Sequence, residues 1–219
     1  MYGTGASDYL ERARLLIRSR KKENLFYAAL ELRNTFQSRV DLYKEVIESF
    51  GSDYDSYTRK ACKYVQGWRL KDGAKHVRKV HREIHYTDDV VGIKYEIKGN
   101  EFLTYYTPIT ERLISHVDFL NALSHNVRIP DNQDDWFKEK FDKIFKIYKD
   151  IYLFCKGDNL LPPIEDPKNT VFEMNIATNH QEFMDFLGDL VKDKAASHPC
   201  NAEIFFPETP REWIEESKL

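Results

Sequence analysis

Apolar residues along the first half of the chain recur at steps of three and four. Leu25, Ala29, Leu32, Phe36, Val40, Tyr43 and Ile47 draw one stripe down a helix of some 25 residues. Gly51-Ser52-Asp53 follows as a stop. Ahead of it, Ser7 is placed to cap a shorter helix over 8–21 whose second half is basic at Arg14, Arg18, Arg20, Lys21 and Lys22, the favoured sign at a helix C-terminus. A third helical stretch covers 57–84, with a break expected at Lys71-Asp72-Gly73. The period then changes from three and a half to two. Val91, Ile93, Tyr95 and Ile97 alternate with small or polar residues, Lys98-Gly99-Asn100 supplies a turn, and 102–106 returns, which makes a β-hairpin at about 90–106.

Helical spacing resumes after Thr107-Pro108, read as the start of a helix running to about 127. A fifth helix from Asp131 carries Trp136, Phe137, Phe141, Ile144, Phe145, Ile147, Tyr148, Ile151, Tyr152 and Phe154 on one half of its wheel. Lys138, Glu139, Asp142, Lys143, Lys146, Lys149 and Asp150 occupy the other half, and Gly157 ends it. Beyond Pro162-Pro163 the texture shifts: 170–176 reads as a strand, 179–194 as a short helix and 202–206 as a second strand, a small β-α-β unit. Thr209-Pro210-Arg211-Glu212 has the capping-box pattern before a last turn holding Trp213. The expected architecture is mainly α: a bundle over 1–157 with an inserted hairpin, and a small α+β appendage over 158–219 packed on it.

Composition narrows the class. A chain of 219 residues supports one main core, and 14 Phe with 13 Tyr exclude a disordered polar chain. No stretch has the roughly 20 uncharged apolar residues of a membrane span, and no apolar leader opens the sequence, so a cytoplasmic protein is expected. Cys62, Cys155 and Cys200 are odd in number and far apart, and read as reduced thiols. His198-Pro199-Cys200 lacks the second pair of ligands a zinc site needs. With no glycine-rich phosphate loop, nucleophile elbow or zinc-protease motif, neither metal nor cofactor is expected.

Charge is divided unevenly. Residues 1–85 carry 18 Lys+Arg against 11 Asp+Glu, and 86–219 carry 15 against 25. The basic excess is densest between positions 59 and 85, where nine Lys/Arg and three His face only Asp72 and Glu83. Interspersed with Tyr64 and Trp68, such a stretch suits a phosphate backbone that it contacts without reading sequence. Arg69, Lys75, Arg78, Lys79 and Arg82 are the candidate RNA or DNA contacts. The alternatives are a solvated helix face and an acidic protein partner.

Two segments carry a family resemblance. Phe26-Tyr27-Ala28-Ala29-Leu30-Glu31-Leu32-Arg33 and Tyr106-Thr107-Pro108-Ile109-Thr110, the latter leading into Leu120-Asn121-Ala122-Leu123-Ser124-His125, resemble HEPN-like proteins. These are helical nucleotide-binding and ribonuclease proteins of prokaryotic defence and toxin systems. The resemblance covers the N-terminal 130 residues and implies an antiparallel bundle. It also implies a defence or toxin-like context with a nucleic-acid or protein partner. Ribonucleases of that superfamily carry Arg, four to six spacers, then His. Here Arg112 and His116 have three spacers, while Arg69 with His76 and Arg78 with His85 have six.

Metal-independent RNA cleavage needs a base for the 2′-hydroxyl proton and a cation for the phosphate, and histidine beside arginine supplies both. Candidate catalytic residues are therefore Arg33, Arg112, His116 and His125. His116 shares its stripe with Ile109, Leu113, Leu120 and Leu123, so a core histidine is the alternative. His125 lines up with Asn121 and Asp118. Arg39 falls inside the second helix's apolar stripe and requires a partner, with Glu31, Asp118 or Glu111 in reach. Two outcomes are open: an ion pair joining two helices, or a pocket lined by Arg33, Arg39, His116 and His125. A non-catalytic module that forms a homodimer through its helices is a third functional reading.

Overall fold

The computed structural model describes residues 3–50, 70–85, 90–97, 100–125, 133–157, 200–205 and 207–219. Helix α1 (Ala6–Ser19) starts at Gly5 rather than at Ser7: the Gly5 N–H donates to the Asp8 carboxylate at 3.0 Å, satisfying an orphan donor from inside the first turn. Its C-cap, Arg20, takes the left-handed conformation at φ 49° and donates its N–H to the Ile17 carbonyl. The chain thereby reverses into α2 (Asn24–Phe50). Leu25, Ala28, Ala29, Leu32, Phe36, Val40 and Tyr43 are all buried, so the stripe read from the sequence is the centre of the core.

Helix α3 (Leu70–His85) runs unbroken through Gly73, where a stop was expected. Gly73 sits in the first turn facing the Lys44 side chain of α2, whose flexible end would be the nearest neighbour of an added Cβ at 2.8 Å, so here the glycine does not terminate a helix. Residues 57–69 of the expected helix lie outside the described residues. Helix α4 (Glu111–His125) begins three residues later than Thr107-Pro108 suggested. Thr110 caps it, its Oγ1 accepting the Leu113 N–H at 3.2 Å, while Thr107 and Ile109 are buried in the link ahead of it. Helix α5 (Gln133–Lys156) buries Phe137, Phe141, Ile144, Ile147, Tyr148, Ile151 and Phe154.

The direction of α4 follows from two contacts with α2. Arg33 meets Asn121 near one end and Tyr43 meets the Thr107 carbonyl near the other, which makes the helices antiparallel. Phe36 and Tyr43 pack edge-on against Phe154 of α5, and Phe26 packs against Trp136 and Phe137. Helix α3 contacts α2 and α4.

Strands β1 (Val91–Ile97) and β2 (Asn100–Tyr106) form the expected hairpin, with Val91 opposite Tyr106 and Ile97 opposite Asn100. A third strand was not foreseen there. Strand β3 (Cys200–Phe205) pairs antiparallel with the other edge of β1, giving the order β2-β1-β3. The C-terminal strand thus extends the hairpin's sheet; the strand and helix expected at 170–176 and 179–194 lie outside the described residues. Helix α6 (Arg211–Glu216) follows Pro210 with no side-chain cap, so the capping box expected from Thr209 is not formed. Trp213 of α6 is buried edge-on to Tyr105, and the Tyr152 hydroxyl of α5 donates to Glu216. No described helix is long and apolar enough to cross a membrane.

Candidate nucleic-acid interface and phosphate site

Arg112 and His116 lie one turn apart on α4, and the antiparallel approach of α5 sets Asp150 against both. The Arg112 Nε donates to Asp150 Oδ2 at 2.7 Å, and His116 Nε2 lies 2.7 Å from the same oxygen. The side chains of His116 and Asp150 are 15% and 14% exposed, whereas that of Arg112 is 69% exposed. A carboxylate bonded to Nε2 selects the tautomer with its proton there. In the neutral ring that tautomer leaves the lone pair on Nδ1, which has no partner among the described residues. Among the described residues only the Nε of Arg112 is engaged, which leaves the outer edge of the guanidinium for an anion.

Beside this cluster lies a cavity of about 130 Å³, with Thr107, Thr110, Arg112, Asp150 and Trp213 in its wall. That is well below the 300 Å³ or so of a site that encloses a whole small-molecule ligand, and Val90, Leu113, Leu153 and Phe154 make much of the remaining wall apolar. The cluster is therefore an open surface site beside a small recess.

The other two candidates stand elsewhere. Arg33 donates its Nε to Asn121 Oδ1 at 2.8 Å and belongs to the α2–α4 joint. His125 is exposed at the end of α4, about 13.5 Å beyond His116 along the axis. Neither expected neighbour orients its ring: Asn121 serves Arg33, and Asp118 pairs with Lys71. A pocket lined by Arg33, Arg39, His116 and His125 is not formed.

Arg39 is 5% exposed and has no carboxylate partner among the described residues. Glu31 pairs with Arg12, Asp118 with Lys71 and Glu111 with Arg78, so each expected partner is engaged elsewhere. Arg39 Nη2 instead reaches the Gly157 carbonyl at 2.6 Å, the Tyr43 hydroxyl at 3.0 Å and the Phe154 carbonyl at 3.3 Å. Its guanidinium also lies over the rings of Tyr43 and Phe154. The interhelical ion pair expected here is replaced by a cation capping the C-terminal carbonyls of α5. Burial pushes the neighbouring Cys155 thiol up to about 12, against the opposing pull of Arg39, which keeps it protonated and a poor nucleophile.

On α3, Lys75 and Lys79 are exposed one turn apart, and Lys75 has no ion pair among the described residues. Arg78 contacts Glu111 at 3.1 Å. Arg82 lies on the last turn of α3, and Arg69, with Tyr64 and Trp68, is outside the described residues. Glu111 and Asp118 turn toward α3 while Arg112 and His116 turn toward α5, so the basic helix and the Asp150 cluster flank α4 on two sides.

Asp150 is the residue that sequence reasoning missed. It was grouped with the solvent-facing half of α5, although Ile147, Ile151 and Phe154 around it are buried. Among the described residues no three His, Cys, Asp or Glu side chains gather as metal ligands. No family model matches this chain, nor does any curated protein or solved structure.

Proposed function

We propose that this protein is a HEPN-like helical bundle that engages nucleic acid through its basic helices, within a prokaryotic defence or toxin-like system. The supporting observation is the exposed pair Lys75 and Lys79 on α3, of which Lys75 has no intramolecular counter-charge among the described residues. An ammonium group presented this way gains by displacing the counterions of a phosphate backbone. The defence setting rests on the resemblance in the sequence. The test is the double reversal Lys75→Glu and Lys79→Glu, with labelled RNA and DNA titrated at several salt concentrations. A marked loss of affinity and a shallower salt slope are expected; unchanged affinity would defeat the reading.

A second reading, metal-independent ribonuclease, is favoured by the convergence of Arg112 and His116 on Asp150. In it Asp150 holds the imidazole with Nδ1 free, and Nδ1 takes the 2′-hydroxyl proton. The 2′-oxygen bonds to phosphorus as the bond to the 5′-oxygen breaks, and the leaving oxygen is protonated from solvent at the open face. Arg112 holds the phosphate charge. Labelled RNA incubated in EDTA would be cut by the native protein and by His125→Ala, but not by His116→Ala or Asp150→Asn. RNA left intact by the native protein would remove this reading.

A further inference from the structure

We infer that the seam between α4 and α5 is a track for single-stranded nucleic acid, with Phe119 and Trp136 as stacking platforms and Lys140, Lys143 and Arg112 as phosphate contacts. The inference rests on the nucleic-acid reading above and assigns the strand a path that neither the basic helix nor the Asp150 cluster specifies.

The antiparallel register that puts Asp150 beside Arg112 and His116 also puts Phe119, further along α4, beside two lysines of α5. Lys143 Nζ lies 4.1 Å and Lys140 Nζ 6.0 Å from the Phe119 ring centroid. Lys140 is also 5.7 Å from the ring of Trp136, which ends the row. From Asp150 to Trp136 the row spans about 21 Å along α5. Cation and ring thus alternate along one surface, and both Phe119 and Trp136 are only half-buried.

Two of these cations already carry a carboxylate: Asp150 is shared by Arg112 and His116, and Glu139 pairs with Lys140 at 2.7 Å, so at those points a strand competes with an exposed ion pair, whereas Asp118 pairs with Lys71 on the far flank of α4. Lys143 is exposed over the Phe119 ring; it feels the Glu139 carboxylate but has no ion pair among the described residues. An exposed ammonium is held weakly by a ring face. An arriving strand improves both halves of that contact, offering a phosphate to the ammonium and a base face to the ring. A duplex keeps its base faces stacked inside and meets only the charge. An acidic peptide likewise uses the lysines and leaves the rings unpaired.

The test is a titration of the full chain with oligouridylate, oligothymidylate, a blunt RNA duplex and polyglutamate, followed by tryptophan fluorescence and by anisotropy of labelled strands. Either single strand should quench the emission. Trp136→Phe, made in a Trp68→Phe background because Trp68 belongs to the basic stretch, should remove that quench while binding persists. At 0.1 M salt one lost phosphate contact corresponds to about fivefold in single-strand affinity, so Lys143→Glu should weaken binding at least about that much. Lys138→Glu, an exposed position of α5 turned away from the seam, should change it by less than about twofold. Native-like binding by Lys143→Glu, a quench that survives Trp136→Phe, or equal response to duplex or polyglutamate would each overturn the track. If the α3 reversals weaken binding and Lys143→Glu does not, the track fails and the α3 reading stands; if no strand binds the native protein, both fail.

Discussion

Replacing Arg39 separates two opposing consequences of placing a guanidinium in the core. Arg39→Ala leaves the Gly157 carbonyl without its donor, whereas the Phe154 carbonyl keeps the Thr107 hydroxyl at 2.6 Å and the Tyr43 hydroxyl keeps the Thr107 carbonyl at 2.8 Å. One orphaned buried acceptor costs about 1–3 kcal/mol. The cavity left by a buried stem, by comparison with large-to-small core changes, adds about 2–3 kcal/mol. Against this, Arg39 Nε is itself buried without a partner, and removing that group returns about 1–3 kcal/mol. The net expectation is a loss of about 2–4 kcal/mol, or about 10 °C in Tm for a chain of this size. Arg39→Met keeps most of the stem volume, and the orphaned carbonyl and missing cation at the end of α5 are largely offset by relief of Nε, so it should lose only about 0–1 kcal/mol. Urea unfolding followed by circular dichroism gives both values from the midpoints at constant slope. If Arg39→Met is more stable than the native protein by about 1 kcal/mol or more, or as unstable as Arg39→Ala, the account of this corner is wrong.

Gly157→Ala should destabilise by about 2 kcal/mol through overpacking, because its Cβ would stand 2.4 Å from Thr107 Oγ1 and 2.7 Å from the Thr107 backbone nitrogen; the urea midpoint reports it. Stability should also fall at alkaline pH. Burial raises Tyr43 and Tyr106 and pushes Tyr148 and Cys155 up to about 12, so these groups lose protons earlier in the unfolded chain. Their contribution is complete below about pH 9 and declines toward pH 12, at about 1.4 kcal/mol per pH unit for each group ionised only when unfolded. Stability that stays flat from pH 9 to 11 would contradict this. Leu15, Tyr27 and Leu30 are exposed on the α1–α2 hairpin. If the chain forms a homodimer through that face, Leu30→Arg should shift light-scattering mass from dimer to monomer, and a mass that does not change would place any dimer contact elsewhere.

Periodicity carried the core of α2 and α5 and the two strands of the hairpin because each is a local repeat bounded by turn residues. Its failures are also physical. At Gly73 an Asp-Gly pair reads as a stop, yet it lies in the first turn of α3, where a glycine is tolerated. The pairing of β3 with β1 joins segments about a hundred residues apart, beyond any local pattern. Arg39 was recognised as needing a partner, but the partners are main-chain carbonyls, which every sequence offers equally. Asp150 looked solvated because a helix seam lies at the border between its two faces. Arg112 and His116 were legible as one helical turn; the carboxylate that joins them comes from another helix.

The most direct measurement of the central claim is the affinity of the native protein for a labelled single-stranded RNA between 50 and 300 mM salt. Binding is expected, with log affinity falling linearly against log salt at about 0.7 per phosphate contacted and a total slope reflecting several contacts. No binding at 50 mM, or binding indifferent to salt, would contradict the claim that this bundle meets a phosphate backbone.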